Sequence, residues 1–163
     1  MASRSLIEIT QLKESQIDEI YPLIQELYDY LGDGIRVQLN PDQLAKDLKA
    51  GAFGAFVAMD KDAVVGYCLY FWAYSSWCGP YIFMEDIYVK ESYRKSGIGK
   101  ALWKQLAQYS IEKKAARMHW EVNTNNANAI AFYQRFGGND LYRKNNQVTY
   151  ALDLNGLKLL ADS

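Results

Sequence analysis

Residues that bind metals or form disulfides are scarce in this sequence. Its 163 residues include one histidine, His119, and two cysteines, Cys68 and Cys78. Because the cysteines are not in C-x-x-C spacing and only one histidine is present, a Cys/His zinc site is nearly excluded, and we expect no metal. A Ser-His-Asp relay would depend on His119. So few cysteines predict a cytoplasmic protein with reduced thiols.

A strong charge excess and a long apolar run are also missing. The formal net charge is −1, so the chain as a whole is not attracted to nucleic acid or to an anionic membrane, although this leaves room for a local basic patch. No stretch reaches the roughly 18 apolar residues of a transmembrane helix. The opening MASRSLIEIT has no long apolar run after its arginine. We therefore expect no signal peptide, no membrane span and no nucleic-acid partner.

What the sequence does have is an apolar core and an alternation of strands and helices. Half of the residues are hydrophobic, which suits one globular domain over residues 1–163. The periodicities predict strands at 6–9, 54–59, 63–72, 81–89, 117–122 and 148–154, and helices at 14–31, 41–50, 97–114 and 129–136. This order predicts a mixed α/β sheet with helices on both faces.

Local signals mark the ends of three of these helices. Asn40 followed by Pro41 is typical of a helix start, with a side-chain cap and a proline in the first turn. Glycines from position 32 to 34 should end the first helix, and Gly137 should end the last. Pro22 lies inside the first predicted helix and is expected to interrupt it.

The turn Arg94-Lys95-Ser96-Gly97-Ile98-Gly99 lies between a predicted strand and a predicted helix. Glycines let successive N–H groups point to one place, and the first N–H groups of a helix favour an anion such as pyrophosphate. The spacing matches neither a P-loop nor the dinucleotide fingerprint. Taken alone, it leaves an ordinary turn and a phosphate cradle equally open.

Two motifs together resemble the GNAT N-acetyltransferase superfamily. The first is Arg94-x-x-Gly97-x-Gly99, and the second is the run from Asn126 through Tyr133 to Gly137. The stretches Tyr74–Gly79, Glu85–Val89 and Met118–Trp120 are similar to the spermidine/spermine and thialysine-type branch. The resemblance implies a mostly antiparallel central sheet with a splayed cofactor-binding strand, and transfer of acetyl from acetyl-CoA to a primary amine. Relatives of this kind form dimers, so we expect a homodimer.

The resemblance assigns two catalytic roles. Glu85 would be the base, acting directly or through a water, and Tyr133 would be the acid that protonates the leaving thiolate. A phenol has an ordinary pKa near 10 and can donate a proton at neutral pH. The structural alternatives are a partly exposed acid paired with a cation, and a buried aromatic residue on a short helix. Alternation along the strand would place Glu85 and its neighbour Asp86 on opposite faces.

The resemblance also assigns the cofactor contacts. Backbone N–H groups on the strand would hold the thioester and pantetheine, at Ile87, Tyr88 and Val89. The turn and the helix start would hold the pyrophosphate, at Arg94, Lys95, Ser96, Gly97, Ile98, Gly99 and Lys100. The second motif would line the same cofactor, at Asn126, Ala127, Asn128 and Ala129. Asn126 is alternatively a helix cap.

The expected substrate contacts are Ser75, Trp77, Glu85, His119, Trp120 and Glu121. Ser75 stands where the polyamine enzymes carry an acid. Another acid of those enzymes is missing near Asn145, where Arg143-Lys144 are basic instead. We therefore expect an amine with less positive charge than a polyamine, such as a lysine-like amino acid whose carboxylate meets Arg143 or Lys144. An aromatic wall of Trp72, Tyr74, Trp77 and Tyr81 would pack on its alkyl-ammonium chain. The alternative for the wall is core or dimer surface, and for His119 a sheet histidine.

Three functions are consistent with the motifs. The first is an N-acetyltransferase that acts on a small amine, namely a diamine, a polyamine or a lysine-like amino acid. The second is a protein acetyltransferase acting on N-terminal or lysine amines, which would need an open groove. The third is a non-catalytic acyl-CoA sensor, which would need neither Glu85 nor Tyr133.

Overall fold

A computed structural model of the protein describes residues 6–32, 34, 36–141, 152 and 154–161. They belong to two units, Met1–Glu121 and Val122–Ser163. The first unit contains strands β1 Ile7–Gln11, β2 Gly54–Asp60, β3 Ala63–Ser75, β4 Gly79–Val89 and β5 Met118–Trp120, and helices α1 Ile17–Leu31, α2 Pro41–Lys49 and α3 Ile98–Glu112. The second contains helices α4 Ala127–Arg135 and α5 Leu154–Ala161.

The five strands form one sheet in the order β1-β2-β3-β4-β5. Each strand pairs antiparallel with the next except at the end, where β4 and β5 run parallel. A parallel pair needs a crossover, and α3 supplies it between β4 and β5. The prediction of a mixed, mostly antiparallel sheet is confirmed.

Helices cover both faces of this sheet, as predicted. Val57 is fully buried in a cluster with residues of α1 and α2. Its neighbour Phe56 points the other way, and its ring lies 5.7 Å from that of Tyr109 on α3. Because successive side chains of a strand alternate, the sheet separates two apolar layers. The layer beneath α1 and α2 contains Leu12, Ile17, Ile20, Leu23, Ile24, Leu27, Leu44, Ala55, Val57, Val64, Tyr67, Leu69 and Tyr88.

Helix ends follow the local chemistry of the sequence. Asn40 Oδ1 accepts a hydrogen bond from the Gln43 N–H at 2.9 Å and so caps α2, with Pro41 as its first residue. Gly32 ends α1 in the left-handed conformation, at φ 73°. Pro22 lies inside α1, which continues to Leu31, so the expected interruption does not end the helix.

Several elements differ from the sequence predictions at their bounds. β5 is shorter than the predicted strand at 117–122, and α4 begins at Ala127 rather than at 129 because Asn126 caps it. Helix α5 was not predicted at all. Its first residue, Leu154, was assigned to a strand at 148–154, of which residues 148–151 and 153 lie outside the described part of the chain.

Candidate active site

Strand β4 loses one of its two partners halfway along its length. It pairs with β5 only at Ile82↔Met118, Phe83↔His119 and Met84↔Trp120. Its pairing with β3 continues to Val89. Beyond Met84, no strand of the described residues pairs with this edge of β4, which we call the open edge. This is the geometry of the predicted splayed strand.

A one-residue bulge lies where the open edge begins. Tyr70 pairs with Met84 and Leu69 pairs with Asp86, so Glu85 has no residue opposite it on β3. A bulge of this kind bends a strand and redirects its side chains, and bulges are frequent beside active sites. Glu85, the predicted base, is thus the bulged residue.

The bulge also changes which backbone groups face the open edge. Before it, the Ile82 N–H points towards β5 and donates to the Arg117 carbonyl at 3.1 Å. After it, the Lys90 N–H points towards β3 and donates to the Val65 carbonyl at 3.0 Å. Because backbone groups alternate in direction along a strand, those of Ile87 and Val89 point to the open edge.

This alternation divides the three residues predicted to hold the thioester and pantetheine. The backbone groups of Ile87 and Val89 face the open edge, where a ligand could pair with them. Those of Tyr88 face β3, and its side chain is buried in the layer beneath α1. Two of the three residues are therefore oriented for the predicted contact.

Arg94, predicted to meet pyrophosphate, is bound within the protein instead. Its Nε donates to the Val89 carbonyl at 3.0 Å, and its Nη2 donates to Tyr88 Oη at 3.3 Å. Tyr88 Oη in turn donates to Glu26 Oε2 at 3.0 Å. The guanidinium also lies 4.8 Å from the ring centre of Tyr30. Arg94 thus ties the turn to β4 and α1, and its contact with pyrophosphate stays a prediction.

The rest of the turn has the backbone shape of an anion site. Lys95 and Gly97 have φ values of 60° and 91°, and Gly97 is the N-cap of α3. The first helical hydrogen bond runs from the Ala101 N–H to the Gly97 carbonyl at 3.0 Å. The N–H groups of Ile98 and Gly99 come before that bond and have no acceptor within the helix. In the described part of the chain, no side chain caps Gly97, since the Ser96 hydroxyl donates to the Tyr93 carbonyl.

Three carboxylates lie around the bulge. Glu85 is exposed as a residue, yet partial burial of its carboxyl and the charge of Glu121 raise its pKa. Burial, followed by the charge of Glu85, raises the pKa of Asp86 to about 6. Tyr67 Oη donates a hydrogen bond to Asp86 Oδ2 at 3.3 Å and partly opposes that rise. Acids with raised pKa values in one place are typical of a functional site.

The two acids at the bulge differ in their surroundings, since Glu85 is exposed and Asp86 is half-buried. Burial and then the charges of Asp86 and Glu85 raise the pKa of Tyr28 on α1. Their placement on opposite faces of the strand stays a prediction. Sequence reasoning gave Asp86 no role. Its signal was an acid inside a strand of aromatic and β-branched residues.

The predicted aromatic wall is divided between two faces. Tyr81 pairs with Ala73, and Ala73 stands between Trp72 and Tyr74 on β3. Paired residues share a face and successive residues alternate, so Tyr81 faces away from Trp72 and Tyr74. The Arg117 guanidinium already lies over Tyr81, 4.7 Å from the ring centre, and 5.9 Å from that of Trp77. Four rings around one ammonium chain are therefore not present.

The other predicted substrate residues lie at the hairpin tip and on β5. Trp77 is 86% exposed, and its backbone N–H donates to Ser75 Oγ at 3.3 Å. His119 packs on Tyr81 with ring centres 4.9 Å apart. Burial and the nearby Arg117 charge lower its pKa, which favours the neutral imidazole. Trp120 packs edge-on against Trp103 of α3, with ring centres 5.7 Å apart. Their substrate contacts stay predictions.

In the second unit, Asn126 caps α4. Its Oδ1 accepts a hydrogen bond from the Ala129 N–H at 3.1 Å, which confirms the helix-cap alternative. Ala127, Asn128 and Ala129 form the first turn of that helix. The cap uses one side-chain oxygen, so the amide nitrogen of Asn126 takes no part in it.

Tyr133, the predicted acid, lies on α4 and is half-buried. Its ring stands edge-on to that of Phe132, with centres 5.5 Å apart. The Tyr133 carbonyl accepts hydrogen bonds from the Phe136 N–H and the Gly138 N–H. With Gly137 in the left-handed conformation, this ends α4 where the sequence predicts.

Other chemistries find little support in the described residues. Cys68 and Cys78 are free thiols, and burial raises the pKa of Cys68, which disfavours a thiolate nucleophile. Within the described ranges no three potential metal ligands cluster, and no helix is long and apolar enough to cross a membrane. Arg143 and Lys144, expected to meet a substrate carboxylate, lie outside those ranges.

Known proteins with similar sequences are acetyltransferases. The model of the acetyltransferase (GNAT) family matches residues 17–138. A thialysine N-epsilon-acetyltransferase of Caenorhabditis elegans is 30% identical over 155 residues, covering 95% of this chain and 97% of that protein. The Bos taurus protein of the same name is 32% identical over 147 residues, covering 84% and 86%.

Solved structures show the same fold. An integron cassette protein of V. cholerae superposes with a TM-score of 0.76 at 25% identity, covering 99% of this chain and 100% of that one. An aminoglycoside N-acetyltransferase in complex with CoA superposes with a TM-score of 0.72 at 18% identity, covering 94% and 99%. The second likeness concerns the fold alone.

Proposed function

This chain belongs to the acetyltransferase (GNAT) family, and we propose that it transfers acetyl from acetyl-CoA directly to a primary amine of a small molecule. Glu85 accepts a proton from the amine, directly or through a water. The amine nitrogen bonds to the thioester carbon, and the carbon–sulfur bond breaks. Tyr133 protonates the departing thiolate, so the products are an N-acetyl amine and free CoA.

The observation that carries this proposal is the bulge at Glu85 on the open edge of β4. One residue provides a carboxylate, and Ile87 and Val89 after it turn their backbone groups to that edge. An extended pantetheine arm would pair with the Ile87 and Val89 N–H groups as a neighbouring strand does. The thioester would then lie near the carboxylate, with its carbonyl polarised by a backbone N–H.

The cofactor's phosphates would bind at the start of α3. The Ile98 and Gly99 N–H groups supply donors, and the helix dipole adds partial positive charge. Lys95 and Lys100 contribute two cations beside them. Asn126, Ala127, Asn128 and Ala129 are proposed to contact the same cofactor.

A raised pKa suits Glu85 to its proposed role. A base must accept a proton in the transition state, and a carboxylate that titrates closer to neutral accepts it more readily. The pKa of Glu85 is raised first by partial burial and second by Glu121. The carboxylate is still ionised, and therefore active, at pH values above its raised pKa.

The amine we favour is the side-chain amine of a lysine-like amino acid. The two thialysine relatives each match at least 84% of this chain. A polyamine would need several carboxylates, and Ser75 stands where the polyamine enzymes have one. A diamine is the next candidate, since it also needs few negative charges.

The assay that tests this proposal measures thiol release from acetyl-CoA with lysine, thialysine, a diamine, spermidine and a peptide. We expect turnover with the small amines, and faster turnover with thialysine than with spermidine. Acetylation of the peptide alone would support the protein acetyltransferase. CoA binding without turnover on any amine would support the sensor.

Tyr133→Phe tests the acid in the same assay. Removing a general acid should lower kcat by about 10²–10⁴-fold, while the phenyl ring keeps its packing on Phe132. Phe132→Tyr on the same helix serves as a control that changes the aromatic content without removing the acid. Unchanged turnover in Tyr133→Phe would exclude the phenol from the reaction.

The assembly is proposed from the sequence resemblance. We propose one domain over residues 1–163 that forms a homodimer in the cytoplasm. Light scattering of the purified protein checks the dimer, which predicts a mass of twice the 18.7 kDa chain.

A further inference from the structure

A small open cavity lies at the C-terminal end of α1. Its volume is about 240 Å³, and it is lined by Tyr28, Asp29, Gly32, Gly34 and Arg36. Pockets for whole ligands usually measure roughly 300–1,000 Å³. A cavity of this size therefore suits one end of a small molecule.

Two glycines line this cavity, and both have positive φ values, 73° for Gly32 and 68° for Gly34. Residues with a side chain rarely adopt this conformation, so glycine is favoured at both places. Asp29 of α1 and Arg36 line the same cavity. The lining thus includes one residue with a carboxylate and one with a guanidinium.

These two opposite charges do not neutralise each other. Within the described ranges, no hydrogen bond or ion pair joins Asp29 to Arg36, and neither side chain has another such partner. Both side chains are exposed, so neither has been forced into a buried pair. A ligand that carries an ammonium and a carboxylate close together could meet both at once.

Tyr28 links the cavity to the carboxylates of β4. It lines the cavity, and its pKa is raised by burial and then by the charges of Asp86 and Glu85. A molecule held in the cavity would pass along the Tyr28 ring to reach the proposed base. An apolar stem with an amine at its far end fits this path, because tyrosine offers an apolar ring beside it.

We infer that this cavity binds the α-amino acid head of the substrate, with the carboxylate on Arg36 and the α-ammonium on Asp29. The inference rests on the proposed function and names its substrate class, an α-amino acid with a side-chain amine. It assigns to Arg36 the carboxylate contact that the sequence analysis gave to Arg143 or Lys144. A guanidinium holds a carboxylate through two parallel hydrogen bonds, which fixes orientation as well as charge.

A substrate without the carboxylate tests Arg36 most directly. Cadaverine is lysine without its carboxyl group, so it keeps both amines and the same stem. We expect wild-type kcat/KM to be higher for lysine and thialysine than for cadaverine. In Arg36→Ala, kcat/KM for the two amino acids should fall about 10–100-fold, the value of a hydrogen bond between charged groups. For cadaverine it should stay unchanged or rise, because a cation near its distal ammonium is removed.

Two further comparisons and one control distinguish a role of Arg36 in substrate binding from a role in the structure. Lysine methyl ester lacks the negative charge, so Arg36→Ala should affect it no more than cadaverine. Arg36→Lys should recover part of the loss with lysine, since the charge returns without the planar pair of donors. Lys49→Ala removes an exposed cation from the end of α2 and should leave all four substrates unchanged.

The possible failures are distinct. Equal losses for lysine and cadaverine in Arg36→Ala would make Arg36 a structural residue and overturn the inference. So would wild-type activity on cadaverine as high as on lysine, although the proposed acetyl transfer would then stand. If the wild type acetylates neither lysine, thialysine nor cadaverine, the proposed function itself is wrong.

Discussion

The two halves of β4 differ in what their second edge contacts. From Ile82 to Met84 the strand is paired with β3 on one edge and β5 on the other. From Ile87 to Val89 it pairs, among the described strands, with β3 alone. The change takes place at a single inserted residue, Glu85, which also brings a carboxylate to that place. One bulge therefore joins the proposed base to the edge that we propose for the cofactor.

The largest effect should come from removing the carboxylate while keeping the bulge. Glu85→Gln preserves the size of the side chain and loses the base, so kcat should fall about 10²–10⁴-fold. Thiol release at pH 8 with saturating acetyl-CoA and lysine measures this. Glu112→Gln, an exposed acid at the far end of α3, should leave kcat unchanged. Wild-type turnover in Glu85→Gln would mean that the bulge contributes through its backbone geometry and that the carboxylate takes no part in the reaction.

Asp86 follows the bulge and turns towards α1, which predicts an effect on stability. Its pKa is raised to about 6, first by burial and then by Glu85, against about 3.9 in an unfolded chain. When the pKa of a carboxyl is raised in the folded state, the free energy of unfolding decreases as the pH increases from about 4 to about 6. The reason is that the folded state holds the proton more tightly than the unfolded chain. Asn stays neutral and can still accept from Tyr67. Asp86→Asn should therefore raise the free energy of unfolding by about 1–3 kcal/mol at pH 8.

Urea unfolding followed by tryptophan fluorescence checks this at two pH values. The gain should be present at pH 8 and absent at pH 4, where Asp86 is already protonated. Asp62→Asn, in the turn between β2 and β3, is the matched control and should show neither change. Lower stability at pH 8 would mean that ionised Asp86 is better solvated than its burial implies.

Substitution of Arg94 tests whether the open edge and the turn that follows it contact different parts of acetyl-CoA. Its guanidinium is bonded to Val89 and Tyr88, so Arg94→Ala should disturb the edge that holds pantetheine. We expect kcat/KM to fall by a similar factor, about tenfold, with acetyl-CoA and with acetyl-pantetheine, which has no phosphates. Lys95→Ala should affect acetyl-CoA alone. A loss in Arg94→Ala that is confined to acetyl-CoA would instead make Arg94 a phosphate ligand.

Local signals in the sequence predicted several parts of this molecule correctly. The Asn40-Pro41 start of α2, the glycine turn before α3 and the end of α4 at Gly137 each depend on residues within one turn. Such chemistry acts over a few neighbours and can be read from the sequence alone. The order of strands in the first unit also followed from periodicity.

The bulge and the faces of the hairpin could not be predicted in this way. Glu85 bulges because Leu69 and Tyr70 pair on either side of it, and that register depends on two strands together. The aromatic wall was predicted from composition, but the pairing of Tyr81 with Ala73 sends it to the other face. The cavity is lined by Asp29 and Arg36, which lie on either side of Gly32 and Gly34 in the sequence, and the two glycines permit this approach without determining it.

The smallest expected effect concerns Glu121, the residue that follows β5. Its charge is the second cause of the raised pKa of Glu85. Glu121→Gln removes that charge, so the pKa of Glu85 should fall. Because the base works when deprotonated, the acid limb of kcat/KM against pH should move to lower pH. The shift should be small, since both residues are exposed and water weakens the interaction between two charges.

Two controls separate this effect from a change in the overall charge of the protein: a change in ionic strength and the substitution of a distant acid. Raising the ionic strength should narrow the difference between wild type and Glu121→Gln, because the interaction between partly exposed carboxylates is screened. Glu8→Gln on β1, at the opposite edge of the sheet, should leave the acid limb of kcat/KM at the same pH. A limb that moves to higher pH in Glu121→Gln would contradict repulsion between the two carboxylates. Glu121 would then assist the ionisation of Glu85, and the open edge would be an environment that stabilises negative charge.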